Sequence, residues 1–443
     1  MTQLILEDKK FFRNKVKELI KIALEKSFSE IDFKKVEVEY PASLEHGDYS
    51  SNIALKLTKD LRVPPREIAN KIKENIGETD LIEKIDIAGP GFLNFFISKQ
   101  LLNQEIDKVL NEKENYGALK IGNKEDIIVE YSSPNIAKPL GVHHLLSTII
   151  GQSLYNIYKF CGFNTTSINH IGDWGTQFGK LTYAYKIWGS KDVIEQDPIP
   201  ELLKLYVKFH DEAEIDSSLE ELAREEFKIL EEGDLKNKEI WQWFVDLSLN
   251  EINDTYKKLG GVHFDQTIGE SFYEDKMPAL LKEGKEKNII IEGEKGAFVV
   301  HFEDEKIPTV PIQKKDGATL YITRDLATLK YRIEKVNPKK ILYVVDTAQS
   351  LHFKQLFEIG QMMGFHSGQG EHVVFGRMSM KDGNMSTRKG NVVLLKEVLD
   401  EAILRAKKII KEKDNNLSDI DNIAYNVGVG AVKYSILSQN RIS

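Results

Sequence analysis

Apolar positions in this chain fall into two rhythms, and the change between them marks its organisation. Phe11 to Phe28 repeats with helical spacing, and Val36-Glu37-Val38-Glu39-Tyr40 alternates like a strand. His46-Gly47-Asp48-Tyr49 predicts a turn into a helix over Asn52 to Leu61, and Pro64-Pro65 marks the start of another helix. Ile85 to Ile97 is strand-like, broken by Gly89-Pro90-Gly91, and residues 100 to 124 read as a charged connector. Beyond them the pattern changes. Asp126 to Tyr131 is a short apolar strand suited to a buried parallel position. Leu145, Ile149, Ile150, Leu154, Ile157 and Tyr158 then trace a helix that Cys161-Gly162-Phe163-Asn164 ends, and Thr165 to Asn169 is the next strand. That is a βαβ unit, the start of a Rossmann-like sheet. Residues 186 to 258 predict long charged helices interrupted at Pro198 and Pro200, and 285 to 312 small hairpins. Lys339 to Asp346 returns to a buried strand, followed by a loop carrying Gln349. No internal repeat and no low-complexity tract is visible.

Composition narrows the class. A chain of 443 residues with 41% hydrophobic and 29% charged positions is that of a soluble globular protein, long enough for about two to four domains. Its one cysteine, Cys161, excludes a disulfide framework and a cysteine-based zinc site. No apolar run has the length of a membrane span, and the charged, amphipathic N-terminus lacks a signal-peptide core, so a cytoplasmic location is expected. A net charge of -8 confines any RNA contact to local basic patches.

Two segments carry chemistry. Asn384-Met385-Ser386-Thr387-Arg388-Lys389-Gly390-Asn391 packs two cations, two hydroxyls and a flexible Gly-Asn into eight residues. Arg and Lys give charge-assisted donors and Gly390 lets the backbone turn, as a loop closing over polyphosphate requires. The second, Ser132 to Leu145, lies between the first apolar strand and its helix.

Taken in order, "SSPNIAKP…HHL…STIIG", "INHIGDWGTQFGKL", "DGATLYITRDLA" and "MSTRKGN" resemble arginyl-tRNA synthetase, a class I aminoacyl-tRNA synthetase, across nearly the whole chain. The resemblance implies an α/β fold: a Rossmann-like parallel-sheet catalytic domain with helical and hairpin insertions, preceded by a small α+β N-terminal domain. It implies a tRNA-contacting domain over 1–112 and a catalytic domain over 113–415, with insertions at about 180–258 and 275–312. Residues 416–443 would begin a helical anticodon-binding domain that is otherwise missing, so the chain looks C-terminally truncated. The implied activity is arginine–tRNA ligase: ATP with Mg2+ and L-arginine give an adenylate, which is passed to tRNA(Arg). A monomer with no membrane partner and no protein-bound metal is expected.

By the same resemblance, Glu130, Ser132, Asn135, Tyr321, Asp325 and Gln349 form the arginine pocket. Tyr321 and Asp325, four apart, share a helix face. Asp325 faces the guanidinium and Tyr321 is a flat acceptor, while Glu130 and Asn135 orient the α-amino group. Plainer roles are a strand-end acid held by backbone donors for Glu130, and a salt bridge to Arg324 or a lysine for Asp325. ATP falls to Gly141, His143, His144, Gly390 and Asn391, and the catalytic set is Lys138, His144, Met385, Ser386, Thr387, Arg388 and Lys389. Lys138, otherwise a surface lysine, stands in for the lysine the loop lacks.

The family's His-x-Gly-His segment is altered here. Its first histidine is Gly141, its glycine is His143, and the arginine that follows is Leu146. Only His144 keeps its type. An imidazole at 143 intrudes where the adenine ring needs room, at a cost of about 1–3 kcal/mol. The departure supports an alternative: an impaired paralogue acting as an arginine-sensing or RNA-binding module.

Overall fold

The computed structural model describes residues 11–28, 32–376, 393–414 and 417–442. They divide into two compact units, one running to Asn123 and including Phe160–Gly162, the other comprising Lys124–Lys159 and the chain from Phe163 onward.

The first unit is α+β. Helix α1 (Phe12–Ser27) buries Val16, Ile20, Ala23 and Leu24, one stripe at helical spacing. Strand β1 (Tyr49–Ser51) leads into α2 (Ile53–Leu61), and α3 (Pro65–Ile76) begins at its proline. Strands β2 (Ile82–Ala88) and β3 (Phe92–Ile97) form a hairpin around Gly89 and Gly91, in an antiparallel sheet of order β1-β3-β2. Helix α4 (Lys99–Glu112) follows. Two expectations fail. Residues 100 to 124 are not a plain connector, because α4 occupies their first half. The Val36–Tyr40 alternation builds no strand; Glu39 alone bridges to Ser50. Phe95 is fully buried, whereas Phe92 stays at the surface.

The second unit is built on β4 (Asp126–Glu130), α5 (His143–Phe160) and β5 (Asn164–Ile171). Helices α6 (Thr176–Trp188), α7 (Lys191–Gln196), α8 (Pro198–Ile215), α9 (Leu219–Glu231) and α10 (Leu235–Leu259) follow, packed around Phe209, Phe227 and Phe244. Next come β6 (Gln266–Gly269) and α11 (Met277–Glu286), then a small antiparallel sheet of β7 (Ile291–Glu292), β8 (Phe298–Val300) and β9 (Val310–Gln313). The chain returns through α12 (Tyr321–Val336), β10 (Lys340–Asp346), α13 (Ser350–Met362) and β11 (Gly370–Phe375). It closes with α14 (Leu395–Lys413) and α15 (Ile420–Leu437). No helix among the described residues is long and apolar enough to cross a membrane.

The main sheet has the order β11-β10-β4-β5-β6, and all its pairs are parallel. The three strands expected from the sequence, β4, β5 and β10, are its central neighbours. Ile128 packs into the core on one face of β4, and Ile127 and Val129 into the core on the other, which is why this strand reads as a continuous apolar run. Gly151 on α5 makes that second face close-packed: a Cβ there would lie 2.2 Å from the Tyr131 side chain. From β4 the chain continues to β5 on one side, while β10 lies on the other. Such a reversal opens a crevice at the carboxyl ends of the strands.

Candidate active site

That crevice holds a cavity of about 350 Å³. Glu130 ends β4, His170 lies near the end of β5, Asp346 ends β10 and Phe375 ends β11; all four line it. Ser132, Asn135, Tyr321, Asp325, Gln349, His143 and His144 line it too. The structure therefore brings the six residues of the expected arginine pocket, which come from three separate stretches of chain, around one space.

The loop after β4 is held in an unusual shape. Ser132 (φ 68°), Ser133 (φ 48°) and Ala137 (φ 59°) are left-handed without being glycine, a conformation that costs roughly 1–2 kcal/mol per residue. Buried hydrogen bonds fix it. Ser132 N–H donates to Ser147 Oγ (2.9 Å), Ser133 N–H to Asn169 Oδ1 (3.1 Å) and Ala137 N–H to Ser248 Oγ (2.9 Å). Ser132 Oγ lies 2.6 Å from Tyr256 Oη and 2.9 Å from Thr148 Oγ1. Its hydroxyl is thus committed to shaping the loop. Asn135 is placed by Gly172: the two pair in a parallel bridge, and a Cβ on Gly172 would come 2.2 Å from Asn135 Oδ1.

Glu130 is not held by backbone donors. It forms a buried ion pair with Arg332 at 2.5 Å, and the Arg332 guanidinium lies 5.6 Å from the Tyr343 ring centre. Asp325 is not bridged to Arg324 either. Arg324 goes to Glu270 Oε2 (3.0 Å) and Glu274 Oε1 (2.9 Å), while Asp325 Oδ2 sits 2.7 Å from His352 Nε2. The Asp325 carboxylate drives the Tyr321 hydroxyl well above its ordinary pKa. Glu270 also lines the cavity, and burial, opposed by Arg324, raises its pKa to about 7. Carboxylates thus outnumber cations around this space, which suits a cationic ligand.

At the other side, α5 begins at His143 and presents its N-terminal end to the cavity. The His143 and His144 rings lie 4.0 Å apart. Burial pushes His144 down to about 3, so its imidazole is uncharged, and its Nδ1 has no hydrogen-bond partner among the described residues. Desolvation lowers His143 as well. Gly141 does not line the cavity; it bridges Leu394, and Val142 N–H donates to Val393 O (2.9 Å). Lys138 is not brought to the cavity. After the left-handed turn at Ala137 its Nζ lies 3.5 Å from Gln177 Oε1 and 5.1 Å from the Tyr206 ring centre, beside a separate space of about 210 Å³. Met385, Ser386, Thr387, Arg388, Lys389, Gly390 and Asn391 lie outside the described residues.

The family model described as "tRNA synthetases class I (R), catalytic domain" matches residues 105–443, and "Arginyl tRNA synthetase N terminal domain" matches 14–97. The chain belongs to the arginyl-tRNA synthetase family. It is similar to a protein named arginine–tRNA ligase from Clostridioides difficile (strain 630), 48% identical over 91% of this chain and 71% of that one. A protein of the same name from Clostridium botulinum (strain 657 / Type Ba4) is 44% identical over 97% and 75%. Among solved structures, arginyl-tRNA synthetase from Plasmodium falciparum superposes with a TM-score of 0.68 at 27% identity, covering 97% of this chain and 75% of that one. The alternative of a sensing module finds no support in these comparisons. Glu270, Arg332 and His170 escaped the sequence-based site. Nothing local distinguishes an acid or an arginine in so charged a chain, whereas His170, three residues before Asp173 in the "INHIGDWG" phrase, was visible but unplaced.

Proposed function

We propose that this synthetase is an arginine–tRNA ligase, converting L-arginine and ATP with Mg2+ to arginyl adenylate and passing the arginyl group to tRNA(Arg). The observation that carries the reading is the convergence of Tyr321, Asp325 and Glu270 with Glu130, Asn135 and Gln349 on one cavity at the carboxyl edge of the sheet. In the first step the arginine carboxylate attacks the α-phosphorus of ATP, the α–β anhydride bond breaks and pyrophosphate leaves. In the second a terminal ribose hydroxyl of tRNA attacks the acyl carbonyl and AMP leaves. Neither step needs a protein nucleophile, so catalysis is positioning and electrostatics.

In this reading Asp325 and Glu270 flank the guanidinium, with Tyr321 against its plane. Glu130, paired with Arg332, and Asn135 hold the α-amino group. The N-terminus of α5 faces the phosphates, and His144 donates as an uncharged imidazole. The stretch 385–391 supplies cations to the phosphates. Its flanks favour this: Phe375 lines the cavity, and Val393 is bonded to Val142, one residue before His143. Lys138 stays in the catalytic set only if its side chain swings away from Gln177 when substrates bind.

The same reading assigns 1–112 to tRNA contact, 113–415 to catalysis and 416–443 to the first helix of an anticodon-binding domain, in a cytoplasmic monomer. Arginine-dependent ATP–pyrophosphate exchange, measured with tRNA present, tests it. Exchange that answers to arginine and to no other amino acid is expected; no exchange at saturating arginine, ATP and tRNA overturns the reading.

A further inference from the structure

His170 has no place in the mechanism above, yet its surroundings are those of a ligand-binding group. It lies on β5, paired in register with Ile268 of β6, and lines the cavity. It is 9% exposed, and neither Nδ1 nor Nε2 has a hydrogen-bond partner among the described residues. Buried polar side chains are ordinarily satisfied, so such a group asks for an explanation. Its nearest ring is Tyr273, 5.6 Å away between centres, which offers packing. Burial, helped by the Arg332 cation, lowers its pKa against the opposing pull of Glu130, Asp325 and Asp173, which favours the neutral ring with one N–H and one lone pair.

The cavity's carboxylates leave work for that lone pair. A guanidinium has five N–H donors, and two carboxylates in bidentate contact accept at most four. Here both are already partly engaged, Asp325 by His352 and Glu270 by Arg324.

We propose that His170 is a further arginine-contacting residue, whose neutral imidazole accepts a hydrogen bond from the guanidinium of bound L-arginine. This assignment rests on reading the cavity as an arginine site. A protonated imidazole would repel the same cation, so burial of the ring is part of the recognition. The second ring nitrogen is then a donor, and the ligand selects the tautomer.

The test uses the full chain, with L-arginine and ATP as separate probes in calorimetry. His170→Phe keeps a flat ring and removes the acceptor; it should raise the Kd for arginine by about tenfold or more while leaving the Kd for ATP within about twofold. His170→Gln keeps a neutral acceptor and should stay within about threefold of the parent. In 15N-histidine spectra of the parent, the His170 signals, identified by their loss in His170→Gln, should move on adding arginine and not on adding ATP. Unchanged arginine affinity in His170→Phe, or His170 signals that ignore arginine, overturns the assignment and leaves the reading of the cavity standing. A parent chain that binds no arginine overturns both. If His170→Phe does not fold, the spectra of the parent decide.

Discussion

Glu130 and Arg332 form an ion pair at 2.5 Å with both side chains withdrawn from solvent. The acid ends β4 at the floor of the cavity, and the base comes from the buried face of α12. Such a pair recovers little net energy when whole, but removing one partner strands a buried charge. Arg332→Met should therefore destabilise the chain by about 3–5 kcal/mol. Urea denaturation measures this, and the double change Glu130→Gln, Arg332→Met should recover a large part of the loss. Equal losses in the single and double variants would mean that the charges are not coupled.

Asp325→Ala should weaken arginine binding by roughly 2–4 kcal/mol, because a desolvated guanidinium loses a charged partner. His352 sharpens the expectation. It sits 2.7 Å from the same carboxylate and fixes its orientation, so His352→Ala should cost less than Asp325→Ala. Calorimetry with arginine alone separates the two.

Glu270 predicts a pH effect with a defined sign. Its pKa is raised to about 7, first by burial, with Arg324 opposing. The free folded chain therefore holds this proton more tightly than the unfolded chain. The stability it contributes is complete below the ordinary glutamate range and is lost as pH rises through about 7. A bound guanidinium favours the ionised form, so arginine binding near pH 6 should expel a proton and should tighten as pH rises towards 8. Calorimetry in buffers of different ionisation enthalpy reads the proton directly. Glu270→Gln should abolish the release.

Gly172→Ala tests how Asn135 is placed. A methyl group at 172 would sit 2.2 Å from Asn135 Oδ1, so the amide must swing away. Since Glu130 and the guanidinium side are untouched, the KM for arginine should rise about tenfold, the worth of one hydrogen bond to a charged group, with little change in stability.

These expectations show where the chain was legible. β4 and β10 announced themselves because both faces of each are covered, so their apolar runs are unbroken, whereas β5, rich in Thr, Ser and Asn, was placed by its spacing after the first helix of the βαβ unit. β6 and β11 did not: Gln266–Gly269 is short and polar, and Gly370–Phe375 mixes Glu371 and His372 into an outer strand. α4 was missed because none of its side chains is fully buried, which hides the stripe that periodicity detects. The lining of the cavity was legible through the family phrases that carry it. Lys138 went astray at the one point where sequence spacing says least, because the left-handed Ala137 turns the chain away from the cavity. Glu270 and Arg332 became site residues only when folding placed them beside Arg324 and Glu130.

The altered first motif gives the remaining prediction. The family pattern puts an imidazole at 141 and a glycine at 143, and this chain reverses them. In the fold His143 forms part of the cavity wall, its ring 4.0 Å from that of His144, while Gly141 is spent on a backbone bridge to Leu394. The double change Gly141→His, His143→Gly leaves that bridge in place, since it uses main-chain atoms. It opens the wall next to the helix N-terminus, where the adenine ring needs close approach, and moves a hydrogen-bond donor two residues back. Exchange activity, measured with tRNA and saturating arginine, should rise at least about tenfold, equivalent to roughly 1.4 kcal/mol of barrier. His143→Gly alone should lower the KM for ATP without reaching that rate, because it clears space but adds no donor. An equal or lower rate in the double variant would show that His143 already serves the phosphates from its own position and that this chain has adapted to its own motif.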